Sequence, residues 1–139
     1  MLKVIILDNQ AVARNLLGSV LTNGGHEVVG DSNTNLSNLA RLVKLRPQII
    51  CVDVGEIENE GITLLKALRT ELPKALIFLV SSKIDAATIQ SAQQYGVSGF
   101  IVKPFNAVAV LSSIRNTIVR IAKLRKAKVE LVPGAGDSP

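Results

Sequence analysis

The stretch VIILDNQAVARNLLGSVLTNGG, residues 4–25, sets the architecture. Val4–Leu7 is a continuous aliphatic run, the pattern of a strand buried on both faces of a sheet. The chain turns polar at Asp8 and Asn9, and then Val12, Leu16, Leu17, Val20 and Leu21 recur at helical spacing. Gly24 and Gly25 end that helix. A doubly buried strand passing at once into an amphipathic helix opens a βαβ unit.

The alternation continues outward from there. Glu27–Gly30 reads as a weak second strand around Val28 and Val29. Leu36, Leu39, Ala40 and Val43 mark a second helix, stopped before Pro47. Ile49–Val52 is a third strand ending at Asp53, followed by the loop VGEIENEG. Ile62, Leu65, Leu68 and Leu72 mark a third helix, closed by Pro73. Ala75–Val80 is a fourth strand, ending in Ser81 and Ser82. Asp85 is placed to cap a short polar helix through Tyr95, with Gly96 beyond it. Phe100–Val102 is a fifth strand ending at Lys103-Pro104, and Asn106 caps a last helix with the stripe Leu111, Ile114, Ile118 and Ile121. Such alternation, without an internal repeat, predicts an α/β fold: a parallel sheet covered by helices on both faces, with right-handed crossovers. One domain over residues 1–128 is expected, with a flexible C-terminal tail at 129–139 that includes VPGAGDSP.

Composition narrows the function classes. At 139 residues the chain suits one domain, and its three Phe, one Tyr and absence of Trp leave the core to Leu, Ile, Val and Ala. The single cysteine, Cys51, cannot form an internal disulfide, and its place within IICV is that of a small buried thiol. One His and one Cys give no zinc spacing. No segment approaches the roughly 18 apolar residues of a membrane span, so a soluble, cytoplasmic protein is expected. The formal charge of +5 is concentrated late, in KLRKAK from Lys123 to Lys128. That run suits nucleic acid, an acidic partner, or simply the solvated end of a helix whose dipole favours cations. No aromatics interleave with it, which favours the solvated end.

The strand ends carry the chemistry. In a parallel sheet all strand C-termini share one edge, so Asp8 with Asn9, Asp53, Ser81 with Ser82, and Lys103 gather there. In the flavodoxin-like order 2-1-3-4-5, Asp8 and Asp53 face each other at the switch point, where such folds bind ligands. Two close carboxylates repel unless a cation joins them. Oxygen ligands without His or Cys favour a hard ion such as magnesium. Carboxylates, a divalent cation, a lysine and a hydroxyl suit a phosphoryl group in transfer, and a carboxylate can itself be the nucleophile. His26, near the start of the second strand, lies at the opposite edge and reads as a surface residue. A flavodoxin-like small-molecule binder is the weaker reading, since no G-x-G-x-x-G or G-x-x-x-x-G-K-[ST] run is present.

With these residues in order, the sequence resembles the receiver domain of two-component response regulators, including stand-alone chemotaxis-type receivers. The likeness spans about residues 2–126 and rests on IILDN, CVDVGEIENEG, LVSS and GVSGFIVKPF. The resemblance implies a doubly wound five-stranded sheet with five helices. It implies that Asp53 is the phosphoacceptor, with Ser81 and Lys103 contacting the phosphoryl group. Asp8, Asn9, Asp53 and the Gly55 backbone carbonyl would hold Mg2+, and Phe100 would be an aromatic switch that follows Ser81. Lys103-Pro104 matches a peptide bond usually cis in the family. It also implies a histidine kinase or phosphotransfer protein as donor, and signalling through the fourth helix, fifth strand and fifth helix. A homodimer through the last helix is a further possibility the family offers. DNA binding through a separate output domain is not expected from a chain of this length.

The sequence departs from the family pattern at several places. Asn9 stands where the second acid usually contacts the metal, so weaker Mg2+ binding is expected, because charge dominates hard-cation affinity. Ile57 replaces a usual Pro, Ser82 a small residue, and Glu56 and Glu58 add charge to the acceptor loop. Lys83 holds a position that tunes phosphoryl lifetime. Two readings compete: a phosphorylatable receiver, and a degenerate receiver binding a protein partner without phosphorylation.

Overall fold

A computed structural model describes residues 1–131, with side chains through Lys128. Five parallel strands, β1 (Lys3–Leu7), β2 (Glu27–Ser32), β3 (Ile49–Val52), β4 (Leu76–Ser81) and β5 (Gly99–Val102), form one sheet in the order β2-β1-β3-β4-β5. The helices are α1 (Ala11–Asn23), α2 (Leu39–Val43), α3 (Asn59–Glu71), α4 (Ala86–Gln94) and α5 (Ala107–Leu131). This is the doubly wound, flavodoxin-like order expected from the strand–helix alternation.

The two-residue period of the strands divides the core. Ile5, Leu7, Ile50, Val52, Ile77 and Leu79 point to one face and meet Leu42, Leu65, Leu68 and Ala92 of α2, α3 and α4. Val4, Ile6, Ile49, Cys51, Phe78 and Val80 point to the other and meet Leu17, Leu21, Val110 and Ile114 of α1 and α5. Both faces are covered, which is why the central strands are apolar at every position.

Several boundaries differ from the expected ones for identifiable reasons. β2 runs two residues beyond Gly30, because Asp31 and Ser32 pair with Ile6 and Leu7. The second helical segment opens as a 3-10 turn, Leu36–Asn38, in which the Asn35 side chain accepts from the Ser37 N–H. The change of helix type re-aims the face, so Leu42 is buried and Leu36 is exposed. On α1 the buried line is Ala13, Leu17 and Leu21, while Val12 and Leu16 are exposed. On α5 it is Val110, Ile114 and Thr117, with Leu111, Ile118 and Ile121 only partly covered. α3 begins three residues before Ile62, after Glu58 accepts from the Gly61 N–H.

Other expectations are met directly. Asp85 Oδ1 accepts from the Thr88 N–H at 2.8 Å and Asn106 Oδ1 from the Ala109 N–H at 3.0 Å, so both cap their helices. The Lys103-Pro104 peptide is cis. Cys51 is fully buried, and burial pushes its thiol up to about 12, which leaves it unreactive. His26 is not a free surface residue: it is half-buried, and its Nδ1 is enclosed without a partner. Burial, then the charge of the N-terminal amine, lowers its pKa and keeps it neutral. No helix among the described residues is long and apolar enough to cross a membrane. α5 reaches Leu131; the remainder of the expected tail, 132–139, lies outside the described residues.

Gly99 reports on how tightly β5 is held. A Cβ there would lie 2.6 Å from Thr117 Oγ1 and 2.8 Å from the Phe78 ring. Gly99→Ala is therefore expected to destabilise the domain by about 2 kcal/mol in urea unfolding, the scale of overpacking a filled core.

Candidate functional site

Each strand-end residue is held in place by the ladder itself. The Asp8 N–H donates to Ser32 O, Asp53 N–H to Leu7 O and Lys103 N–H to Ser81 O, each at 2.9 Å. These bonds extend the parallel register one step past the strands, so Asp8 and Asp53 emerge side by side with Lys103 reaching across from the sheet edge.

Lys103 Nζ stands 2.8 Å from Asp8 Oδ2 and 2.7 Å from Asp53 Oδ2, and 3.4 Å from Gln10 Oε1. The other two carboxylate oxygens are also engaged. Asp8 Oδ1 accepts from the Gln10 N–H at 2.9 Å, and Asp53 Oδ1 from the Gly55 N–H at 2.8 Å. Gly55 has φ +71°, a conformation that glycine adopts freely and that turns its N–H back on Asp53. Asp8 is buried, and Asp53 and Lys103 are half-buried. Arg14 adds a donor to the Asp8 carbonyl at 2.5 Å, with Asp31 at 3.8 Å from the guanidinium.

The electrostatics follow. Two carboxylates and one ammonium leave the cluster one negative charge in excess. Burial works against the charge on Lys103, but the hydrogen bonds and attraction of Asp53 and Asp8 outweigh it and raise the lysine pKa.

Not every expected site residue joins this cluster. Asn9 is exposed, and its carboxamide oxygen accepts from the Thr34 N–H at 2.9 Å and the Thr34 hydroxyl at 3.0 Å. Both lone pairs are thus committed to the loop after β2 rather than to the carboxylate pair. The Ser81 hydroxyl is turned on its own loop: it accepts from the Lys83 N–H at 3.0 Å and donates to Lys83 O at 3.2 Å. Phe100 is half-buried against the α3–α4 side of the core, and its carbonyl accepts from the Ser113 hydroxyl at 2.6 Å. Glu56, Glu58 and Ser82 are exposed, and Ile57 packs on the core. Among the described residues the Lys83 side chain makes only a 4.0 Å surface pair with Asp85.

The donor set accommodates a hard cation in reduced form. Among the described residues no group of three or more His, Cys, Asp or Glu side chains is placed to hold a metal. What remains is the Asp8–Asp53 carboxylate pair, oxygen donors of the kind that suit magnesium. Gln10, Arg14 and Thr34 were missed from the sequence. Gln10 carried a signal, since an Asp commonly turns onto the N–H two residues on. Thr34, 25 residues from Asn9, carried none.

Lys103→Met leaves two adjoining carboxylates unneutralised and is expected to cost about 3 kcal/mol at neutral pH. A lysine whose folded pKa is raised stabilises fully below its unfolded value, and that contribution is lost as pH rises through the folded value. Chemical denaturation from neutral pH upward should therefore show stability falling above the ordinary lysine value of 10.5 in the parent, with a shallower fall in Lys103→Met.

Residues 4–115 match the family model for the response regulator receiver domain. The chemotaxis protein CheY of Thermotoga maritima is 30% identical over 112 residues, covering 81% of this chain and 93% of that protein. CheY of Bacillus subtilis is 29% identical over 116 residues, covering 84% and 97%. A protein-glutamate methylesterase/protein-glutamine glutaminase of Archaeoglobus fulgidus is 28% identical over 96% of this chain, which spans only 42% of that relative. The solved chemotaxis response regulator CheY4 of Vibrio cholerae superposes with TM-score 0.73 at 25% identity, over 84% of this chain and 98% of the other. The match runs through both carboxylates, the hydroxyl end of β4 and the β5 lysine, and the chain belongs to the response regulator receiver domain family.

Proposed function

We propose that the chain is a phosphorylatable receiver that accepts a phosphoryl group on Asp53 from a histidine kinase or phosphotransfer protein in the cytoplasm. The observation that carries this reading is the Asp8–Lys103–Asp53 bridge: an acceptor carboxylate held beside a second acid and a lysine. In the transfer, an Asp53 oxygen attacks phosphorus, the new O–P bond forms, and the P–N bond to the donor imidazole breaks. The electron pair stays on that nitrogen, so a protonated phosphoimidazole leaves as neutral imidazole. Asp8, Asp53 and the Gly55 carbonyl would hold magnesium, which when bound offsets charge on the phosphoryl oxygens. Lys103 then follows the charge: its ammonium shifts from the carboxylate bridge to the phosphoryl oxygens, a stronger anion.

The same geometry supports a switch. To donate to a phosphoryl oxygen, the Ser81 hydroxyl must give up the hydrogen bond it donates to Lys83 O. The β4–α4 loop is thereby drawn toward Asp53. A cavity of about 200 Å³ lined by Leu79, Ser81 and Thr88 adjoins that loop, and in this reading the partly buried Phe100 ring turns inward as the loop moves. The surface of α4, β5 and α5 changes with it, as a shift between two populated states.

A phosphorylation-independent binding module is the second reading. It is favoured by Asn9, whose oxygen is already occupied by Thr34.

Incubation with acetyl phosphate and Mg2+ should add one phosphoryl group by intact mass, and Asp53→Ala should abolish the gain. No gain in the parent, or the same gain in Asp53→Ala, would sink the first reading and leave the second. Asn9→Asp should tighten Mg2+ binding about tenfold by adding a carboxylate next to Asp8. Calorimetric titration checks this, and unchanged affinity would place residue 9 outside the metal site.

A further inference from the structure

The base of the sheet, opposite Asp53, carries a feature the phosphoryl chemistry does not use. α5 is 25 residues long, or about 37 Å. Arg120 donates to the carbonyl of Ser98, just before β5, and Arg125 Nη2 donates to Lys74 O at 3.1 Å, just before β4. From Ile121 onward the helix therefore runs past the edge where the strands begin. Two cavities flank it there. One, of about 310 Å³, is lined by Arg69, Ile121, Leu124, Arg125 and Lys128 among others. The second, of about 330 Å³, includes Leu2, Pro47, Lys74, Leu76, Ile118 and Arg125. Ala75, Leu76 and Arg125 line both, so the two adjoin as a groove divided at Arg125, with apolar residues in each part.

The rim of this groove has one sign. Arg69, Lys74, Arg125 and Lys128 line it, and among the described residues no carboxylate does. Among the described residues the ion pairs involve only Arg14, Lys83 and Lys103 as cations, so none of the rim residues is neutralised. Arg69 is anchored instead by the carbonyls of Leu72, Pro73, Ala75 and Gly96, at 2.6–3.3 Å. Burial, then the nearby charge of Arg125, lowers its pKa. An anion entering the groove would relieve that repulsion.

The occupant can be narrowed. Ile114, Thr117, Ile121 and Leu124 follow three-four spacing along α5. The first two are buried on the sheet, whereas Leu124 is 56% exposed. The seam thus outlasts the surface it packs on. A second copy laid along it would set Arg120 and Arg125 against their counterparts, which repel. Nucleic acid would meet the cations but leave the apolar residues unmatched, with no aromatic side chain lining the groove for stacking. An amphipathic helix of acidic character satisfies both features.

We propose that the groove at the base of the sheet docks an acidic amphipathic polypeptide helix. Its apolar stripe lies on Ile118, Ile121 and Leu124, and its carboxylates face Lys74, Arg125 and Lys128. The site works independently of Asp53.

Fluorescence anisotropy of the full chain tests this with a labelled helical peptide carrying Leu at heptad a and d positions and Glu around them. A peptide of the same composition in shuffled order and a duplex RNA serve as competitors. The Leu/Glu peptide should bind, with affinity reduced about tenfold or more by Leu124→Glu and by Arg125→Glu, and unchanged by Asp53→Ala. Leu124 is exposed, so its replacement should leave the thermal unfolding profile intact, and circular dichroism verifies this. Equal binding of the shuffled peptide, insensitivity to both substitutions, or stronger binding of RNA would overturn the proposal. So would a dimer in sedimentation that Leu124→Glu dissociates, since the occupant would then be a second copy.

Discussion

The functional edge depends on one ammonium group. Asp8 and Asp53 are brought together by backbone register, which has no means of accommodating their repulsion. Lys103 supplies it, reaching both carboxylates at 2.8 and 2.7 Å from a strand on the far side of β4. The cost of partly burying three charges is offset only because each has several partners, and removal of one would leave the rest exposed to the full penalty. The cluster is therefore a joint held under electrostatic load, and its net negative charge is what any charged group entering the edge would meet.

The load is carried by the sheet. The N–H groups of Asp8, Asp53 and Lys103 each complete a strand ladder, so their side chains leave from fixed points. That rigidity is set by the apolar strands beneath: β3 is fully buried at all four positions, and β1 and β4 are covered on both faces. Ser81 is different. It ends β4, but its hydroxyl bonds lie within the following loop, so it can move without disturbing the ladder. The fixed acids and the movable hydroxyl are thus built from the same strand ends.

Most of this architecture was legible in the residues. The run Val4–Leu7 with the helix after it, the caps at Asp85 and Asn106, and the buried Cys51 all rest on local rules that the tertiary structure does not override. The faces of α1 and α5 were less legible, because both carry more apolar residues than one stripe needs. Val12 and Leu16 share the helical period with Leu17 and Leu21, and only packing decides which pair the sheet takes. The short α2 was misjudged because a 3-10 turn at Leu36–Asn38 changes the angle between successive side chains. At the site, Asp8, Asp53 and Lys103 could be placed together from topology. The partner of Asn9 could not, because a contact with Thr34 depends on where the loop after β2 folds back.

That contact changes what the amide at position 9 means. Judged by charge alone, an amide in place of an acid only weakens a metal site. In the structure the amide serves the loop instead, since its oxygen closes the turn after β2 by taking both the N–H and hydroxyl of Thr34. A carboxylate could accept the same two bonds, but it would add a second negative charge in excess beside Asp8 and Asp53, with one ammonium to balance all three. Asn9 therefore ties down the loop without adding charge next to Asp8. The lysine bridge and the tethered amide are two halves of one arrangement, in which the resting site is held together by the protein's own cation.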